Sequence, residues 1–248
     1  MLDGMMPPVG KNSALFLDID GTLLDLARTP EAVAMPDGLM TVLGSLHDAF
    51  EGALAFVSGR SLVAIDHLFT PLKTAAIGCH GVEIRGADGT LRTLAAPIPA
   101  PVRTFLQKLV DAHPGTALED KIYTIALHYR LAPEARPALE AALQDHHILF
   151  ATEKVTLQEG KAVIEAKPLG IDKGVGVRAL LSEPPFKGRV PVFGGDDTTD
   201  MDVFQILPEL GGTSFSVGRR FDGVDYHFPS PLAVRQWLTQ LAERGGGA

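Results

Sequence analysis

The sequence has one cysteine, one tryptophan and three tyrosines in 248 residues. A single cysteine excludes an internal disulfide framework. Basic residues are the minority: 22 Lys and Arg stand against 30 Asp and Glu, a formal net charge of −8. Such a balance excludes a general nucleic-acid coat, which needs clustered cations to displace counterions. No apolar run reaches the roughly 18 residues that span a bilayer. The opening MLDGMMPPVG has neither a basic start nor an apolar core, so no export signal is visible. The expectation is a cytoplasmic protein that uses neither membrane nor nucleic acid. Its oligomeric state, monomer or homodimer, is left open. Hydrophobic residues make up 46% and charged residues 21%, enough apolar material for a real core. The length exceeds one ordinary domain and falls short of two, which suggests a core carrying a smaller insert.

The pattern along the chain supports that division. Ala14–Leu17 is a continuous apolar run, as in a strand covered on both faces, and it stops at Asp18-Ile19-Asp20-Gly21-Thr22. A helix follows from about Pro36, with Leu39, Val42, Leu43, Leu46 and Phe50 on one stripe. A strand over Ala53–Val57 ends at Ser58-Gly59-Arg60. Next come a helix through Phe69, a strand over Thr74–Gly78 and a hairpin around Asp88-Gly89. Strands alternating with helices predict a parallel sheet with its ligand site outside the strands' carboxyl ends. After the Pro-rich link at 95–101 the pattern changes. Residues 101–168 read as a small α+β insert: a helix with Val102, Phe105, Leu106, Leu109 and Val110, a strand over Tyr123–Tyr129, a helix from about Pro133, and strands near Ile148–Glu153 and Ala162–Lys167. The first pattern then resumes. Asp172 caps a helix, Val190–Phe193 is a strand ending at Gly194-Gly195-Asp196-Asp197, a helix covers Asp200–Leu207, a strand covers Ser214–Val217, and a terminal helix carries Trp237, Leu238 and Leu241. The Gly-rich end, through Ala248, reads as a frayed tail. The predicted units are thus 1–100 with 169–248, and 101–168.

Asp18 and Asp20 follow a buried strand directly. Two close carboxylates repel unless a cation sits between them, and Mg²⁺ is the natural guest. One can be a nucleophile and the other a proton donor. Gly21 and Thr22 permit a tight turn whose backbone N–H groups could face an anion. Asp196, Asp197 and Asp200 end another apolar strand and could complete an oxygen cage, although Asp197 and Asp200 also suit a helix N-terminus. Ser58, Gly59 and Arg60 offer a hydroxyl and a guanidinium suited to phosphate. Lys173, at a helix start, could neutralise a phosphoryl oxygen. Cys79 reads as a small core residue, and His146-His147 as surface or packing, since no third ligand is placed near them.

These motifs in this order (DxDGT, SGR, Lys-Gly, GDDxxD) resemble those of the haloacid dehalogenase superfamily of Mg²⁺-dependent phosphotransferases. The resemblance extends to its trehalose-6-phosphate phosphatases, over nearly the whole chain. Gly78-Cys79-His80-Gly81-Val82-Glu83 resembles that family's G-x-H-G-x-E stretch. Glu119-Asp120-Lys121 with His128-Tyr129-Arg130 resembles its cap segment E-x-K…H-Y-R, and Gln158-Glu159-Gly160-Lys161 with Ile164-Glu165 resembles the segment before its lysine motif. Two departures stand out: Met201 where the family usually has Glu, and Ile19 where it often has Tyr or Phe.

The resemblance implies a Rossmann-like α/β core with an inserted cap of type C2. It implies hydrolysis of trehalose 6-phosphate through an aspartyl-phosphate, with Asp18 as nucleophile and Asp20 as acid and base. Mg²⁺ would be held by Asp18, the backbone carbonyl of Asp20, Asp196 and Asp197. Ser58 and Lys173 would stabilise the phosphoryl oxygens, with Asp200 in support. Gly21, Thr22, Gly59, Arg60 and His80 would contact substrate, and Glu119, Lys121, His128 and Glu165 would read the distal sugar. The cap would close to exclude water and open to release product. A phosphatase for another sugar phosphate (sucrose, mannosylglycerate or hexose phosphate) keeps the same core. A non-catalytic sugar-phosphate sensor predicts loss of a core motif residue.

Overall fold

The structure is a computed structural model that describes residues 6–27, 33–160 and 162–245. Lys161 and the last three residues of the Gly-rich end lie outside the described residues. The chain divides into two compact units, Met1–Arg92 with Asp172–Ala248, and Thr93–Ile171. The insert therefore starts earlier and ends later than the sequence-predicted 101–168.

The first unit begins with β1 (Ser13–Leu17), buried at all five positions. It continues with α1 (Leu39–Ala49), β2 (Leu54–Val57), α2 (Leu62–Phe69), β3 (Ala75–Gly78), β4 (Glu83–Arg85) and β5 (Leu91–Thr93). The second unit holds α3 (Ala100–Asp111), β6 (Ala117–Asp120), β7 (Ile125–His128), α4 (Arg136–Asp145), α5 (His147–Thr152), β8 (Val155–Gly160) and β9 (Val163–Pro168). The chain then returns through α6 (Lys173–Leu181), β10 (Val190–Gly195), α7 (Met201–Phe204), β11 (Thr213–Val217), β12 (Tyr226–Phe228) and α8 (Pro231–Glu243).

The eight-stranded sheet runs β12-β11-β10-β1-β2-β3-β4-β5 and is parallel except at its β4 end. From β1 the chain steps outward through β2 and β3, and after the insert it re-enters on the other side of β1, at β10. The sheet thus reverses its winding between β1 and β10, the crevice where parallel α/β sheets bind ligands. Strands buried on both faces explain the unbroken apolar runs. Phe16 meets Phe186, Phe56 stacks on Phe69, and Phe215 meets Trp237 edge-on, with ring centroids 5.2, 4.1 and 5.2 Å apart. Asp172 caps α6 as predicted, its side chain accepting from the Val175 N–H.

The second unit is an antiparallel sheet, β6-β7-β9-β8, whose one face packs on its helices. Its period-2 pattern is strict. Ile125, Leu127, Ile164 and Ala166 join Val102, Leu106, Leu139 and Phe150 in an apolar core, while Glu119, Ala126, His128 and Glu165 point the other way.

Several elements differ from the sequence reading. Ile148–Glu153 is not a strand. Most of this stretch is α5 (His147–Thr152): Phe150 is buried edge-on against Phe105 and Leu149 packs on the same core, while Ile148 stays exposed. The strand in that region is β8, beginning at Val155. The helix expected over Asp200–Leu207 is only α7 followed by irregular turns, with a 3₁₀ turn before it at Thr198–Asp200. The short strand β12, with two half-buried residues, was not anticipated.

Candidate active site

Register brings the polar clusters together. Leu17 pairs with Gly194 of β10 on one side and with Phe56 of β2 on the other. The residues that follow these three partners (Asp18, Gly195-Asp196 and Val57-Ser58) therefore emerge at one sheet edge. Asp18 is held there by its own N–H donating to the Gly194 carbonyl, 3.0 Å. Its Oδ2 accepts from the Thr22 hydroxyl at 2.9 Å and its Oδ1 from Lys173 Nζ at 2.9 Å. Lys173 also donates to Asp200 Oδ1 at 2.6 Å. Asp200 is fully buried, and its Oδ2 accepts from the N–H groups of Asp196 and Asp197. One carboxylate thus fixes both the lysine and the turn that carries Asp196.

Oxygens of Asp18, Asp196 and Asp200 all lie within 4.8 Å of one another. Two of these carboxylates, Asp18 and Asp200, share one buried ammonium. Burial pushes the Asp18 carboxyl well above the usual carboxylate range; Lys173 opposes this, and Asp200 and Asp196 add to it. Burial also works against the Lys173 ammonium, yet Asp18 and Asp200 hold its pKa above the ordinary lysine value. Both shifts report one shortage of positive charge, and a cation among hard oxygen donors would relieve it. The group fits a divalent metal ion.

Asp197 does not join this group. Its carboxylate accepts from the Thr198 N–H and caps the 3₁₀ turn in a reciprocal box with Asp200. Asp20 is placed differently again. Arg60 grips its carboxylate in a fork, Nε to Oδ2 at 2.6 Å and Nη2 to Oδ1 at 2.7 Å. A guanidinium expected to meet phosphate thus also orients the second aspartate. The amides of Gly21 and Thr22 are not open to an anion: they donate to the carbonyls of Leu24 and Ile19. Gly21 is required for another reason. Its φ is +85°, and a Cβ there would lie 2.0 Å from Asp196 Oδ2.

Ser58 is buried, and its hydroxyl oxygen accepts from the Arg60 N–H at 3.1 Å. His80 lies against the same loop. Its N–H donates to the Ser58 carbonyl, its φ is +53°, and a Cβ on Gly59 would stand 2.3 Å from its ring Nε2. Gly59 therefore makes room for the imidazole.

In the second unit, the four predicted sugar-reading residues share the polar sheet face. Glu119 meets His128 Nε2 at 3.0 Å, and Lys121 Nζ donates to Glu165 Oε1 at 3.2 Å. His128, which hydrogen-bonds to it, holds the Glu119 carboxyl below the usual range. The sequence reading missed Thr124, whose hydroxyl donates to Glu165 Oε1 at 2.7 Å and which is fully buried. Its signal was a lone hydroxyl in an apolar strand start, too common to single out.

A matching family profile decides the membership. The trehalose-phosphatase profile covers residues 16–225. The chain belongs to the trehalose-phosphatase family. A trehalose-6-phosphate phosphatase of Escherichia coli (strain K12) is 36% identical over 237 residues, spanning 95% of this chain and 88% of that protein. A Sinorhizobium fredii protein named "Probable trehalose-phosphate phosphatase" is 43% identical over 236 residues, 93% of this chain and 88% of that one. The C-terminal domain of Candida albicans trehalose-6-phosphate phosphatase superposes with a TM-score of 0.82, covering 96% of this chain and 99% of that domain. At 22% identity that likeness speaks for the fold, an α/β core with an inserted α+β unit. Among the described residues, no helix is long and apolar enough to cross a membrane.

Proposed function

We propose that this trehalose-phosphatase family member hydrolyses trehalose 6-phosphate to trehalose and phosphate, using a Mg²⁺ ion at the Asp18–Asp196–Asp200 group. The observation that carries this reading is Asp18 itself. It is a buried carboxylate at the sheet's switch point, held by Thr22 and Lys173, beside two further carboxylates. Thr22 and Lys173 orient Asp18 so that an oxygen can attack phosphorus, giving an aspartyl-phosphate that water then cleaves. Asp20 protonates the departing sugar oxygen and later takes a proton from the water, with Arg60 holding it in place. The Ser58 O–H, whose oxygen already accepts from Arg60, donates to a phosphoryl oxygen, and Lys173 supplies charge to the same group. A bound Mg²⁺, with Asp18 and Asp196 as carboxylate ligands, would neutralise phosphate charge. In the second unit, Glu119, Lys121, His128 and Glu165 read the hydroxyls of the sugar.

All the core motif residues are present, which disfavours a non-catalytic sensor. Asp18→Asn keeps shape and hydrogen-bonding capacity but removes the nucleophile. Phosphate release should drop by at least about 10³-fold, the scale of losing covalent catalysis, with the fold intact by circular dichroism. Wild-type turnover in that variant would remove Asp18 from the mechanism.

A further inference from the structure

The polar face of the second unit extends one strand beyond the four residues that its sequence pattern marks. Pairing places Glu119 of β6 opposite Ala126 of β7, Ala126 opposite Glu165 of β9, and Glu165 opposite Gln158 of β8. Directly opposed residues share a face, so these four form one row across all four strands. Two positions along β7, on the same face, stands His128, opposite Val163, which in turn faces Gly160. Ala126 between the two glutamates keeps the floor of the row low.

The members of this row differ in one respect. Glu119 is met by His128, and Glu165 by Lys121 and Thr124. The Gln158 Oε1 is shielded from solvent but receives no hydrogen bond from any described residue. A buried carbonyl oxygen without a donor costs stability, and nearly all such oxygens are satisfied in folded proteins. An apolar side chain of the same length would avoid that cost, as its neighbours Val155 and Leu157 do on the opposite face. The Gln158 side chain as a whole is only half-buried, so a turn of its amide would bring this unmet acceptor, beside a row of sugar-reading groups, to a ligand hydroxyl, which is a donor.

We propose that Gln158 is a further specificity residue of the sugar site, its Oε1 accepting a hydroxyl proton from the carbohydrate part of the substrate. This rests on the sugar-phosphatase reading above. The carboxylates bind hydroxyls as charged acceptors already engaged by His128 and Lys121. Gln158 adds a neutral acceptor at the β8 end of the row, next to Glu165 and with two strands between it and Glu119.

The test compares wild type with Gln158→Leu and, in case leucine packs badly, Gln158→Met. Each is assayed on trehalose 6-phosphate and on p-nitrophenyl phosphate with Mg²⁺, and each is melted without ligand. The expected result is a KM for trehalose 6-phosphate raised roughly 10-fold or more in both variants, the scale of one lost buried hydrogen bond. The rate on p-nitrophenyl phosphate stays within about twofold, because the core chemistry is untouched. The ligand-free melting temperature is unchanged or higher, since an unmet polar atom is gone. If wild type hydrolyses trehalose 6-phosphate and both variants keep its KM, Gln158 does not read the sugar, and the broader reading stands. If both variants lose the two activities in parallel, the residue is structural and the proposal fails. If wild type hydrolyses no sugar phosphate, the functional reading falls and takes this proposal with it.

Discussion

Replacing Lys173 with methionine keeps most of the side-chain volume and removes the ammonium shared by Asp18 and Asp200. Both hydrogen bonds, at 2.9 and 2.6 Å, lie among side chains that are 6% exposed or less. Solvent therefore cannot take the lysine's place cheaply. Breaking one side of a buried ion pair costs about 3–5 kcal/mol. For a chain of this size each kcal/mol shifts the melting temperature by about 2–4 °C, so the variant should melt roughly 6–20 °C lower in chelator. The loss should depend on pH. Without Lys173, burial together with Asp200 and Asp196 acts unopposed on Asp18 and raises its carboxyl further. A carboxyl raised in the folded state keeps a proton that the unfolded chain gives up. Stability therefore falls as pH climbs from the ordinary carboxylate range towards the raised value. The deficit should be larger at pH 8 than at pH 5.5. Adding Asp200→Asn to the variant should recover part of it, because one uncompensated charge is then removed. Thermal and urea unfolding in chelator at both pH values make the measurement. A Lys173→Met protein within about 1 kcal/mol of wild type at pH 8 would refute the claim that one ammonium offsets these carboxylates.

Two further outcomes follow from the geometry. Gly21→Ala puts a Cβ into a left-handed backbone, which costs about 1–2 kcal/mol, and against Asp196 Oδ2. It should melt lower and lose Mg²⁺-induced stabilisation together with activity; an unchanged Mg²⁺ titration would contradict the placement of Asp196. The Glu119 carboxyl is held below its ordinary value of 4.5, chiefly by the His128 hydrogen bond. Its contribution is therefore complete above that value and lost as pH falls through the lowered one. The melting-temperature gap between wild type and Glu119→Gln should close as pH falls through the carboxylate range; a gap that persists at pH 3 would count against the pairing.

The core was legible because its signals are local. A strand covered on both faces is a continuous apolar run, so β1, β2 and β10 announced themselves, and each ended in the polar residues that the register later joined. What stayed hidden depended on contacts distant in sequence. Arg60 and Asp20 are 40 positions apart, and neither residue's neighbours reveal that they pair. Asp197 and Asp200 looked alike in sequence; their roles divide only where the chain turns, one capping and the other reaching Lys173. In the second unit, Ile148-Leu149-Phe150 has the composition of a strand. Packing of Phe150 against Phe105 outweighed that preference and made it a helix. Thr124 and Gln158 gain meaning only from the antiparallel register that sets them around Glu165.

The central claim is that the buried aspartates serve a sugar-phosphate hydrolase with trehalose 6-phosphate as its substrate. The most direct measurement is phosphate release by the intact chain from a panel of phosphate esters (trehalose 6-phosphate, sucrose 6-phosphate, mannosylglycerate phosphate and glucose 6-phosphate), each with Mg²⁺ and with chelator. The account predicts kcat/KM highest for trehalose 6-phosphate by at least about 100-fold, the scale of several hydrogen bonds lost together, and abolished by chelator. Equal turnover across the panel, a different preferred sugar, or full activity in chelator would contradict it.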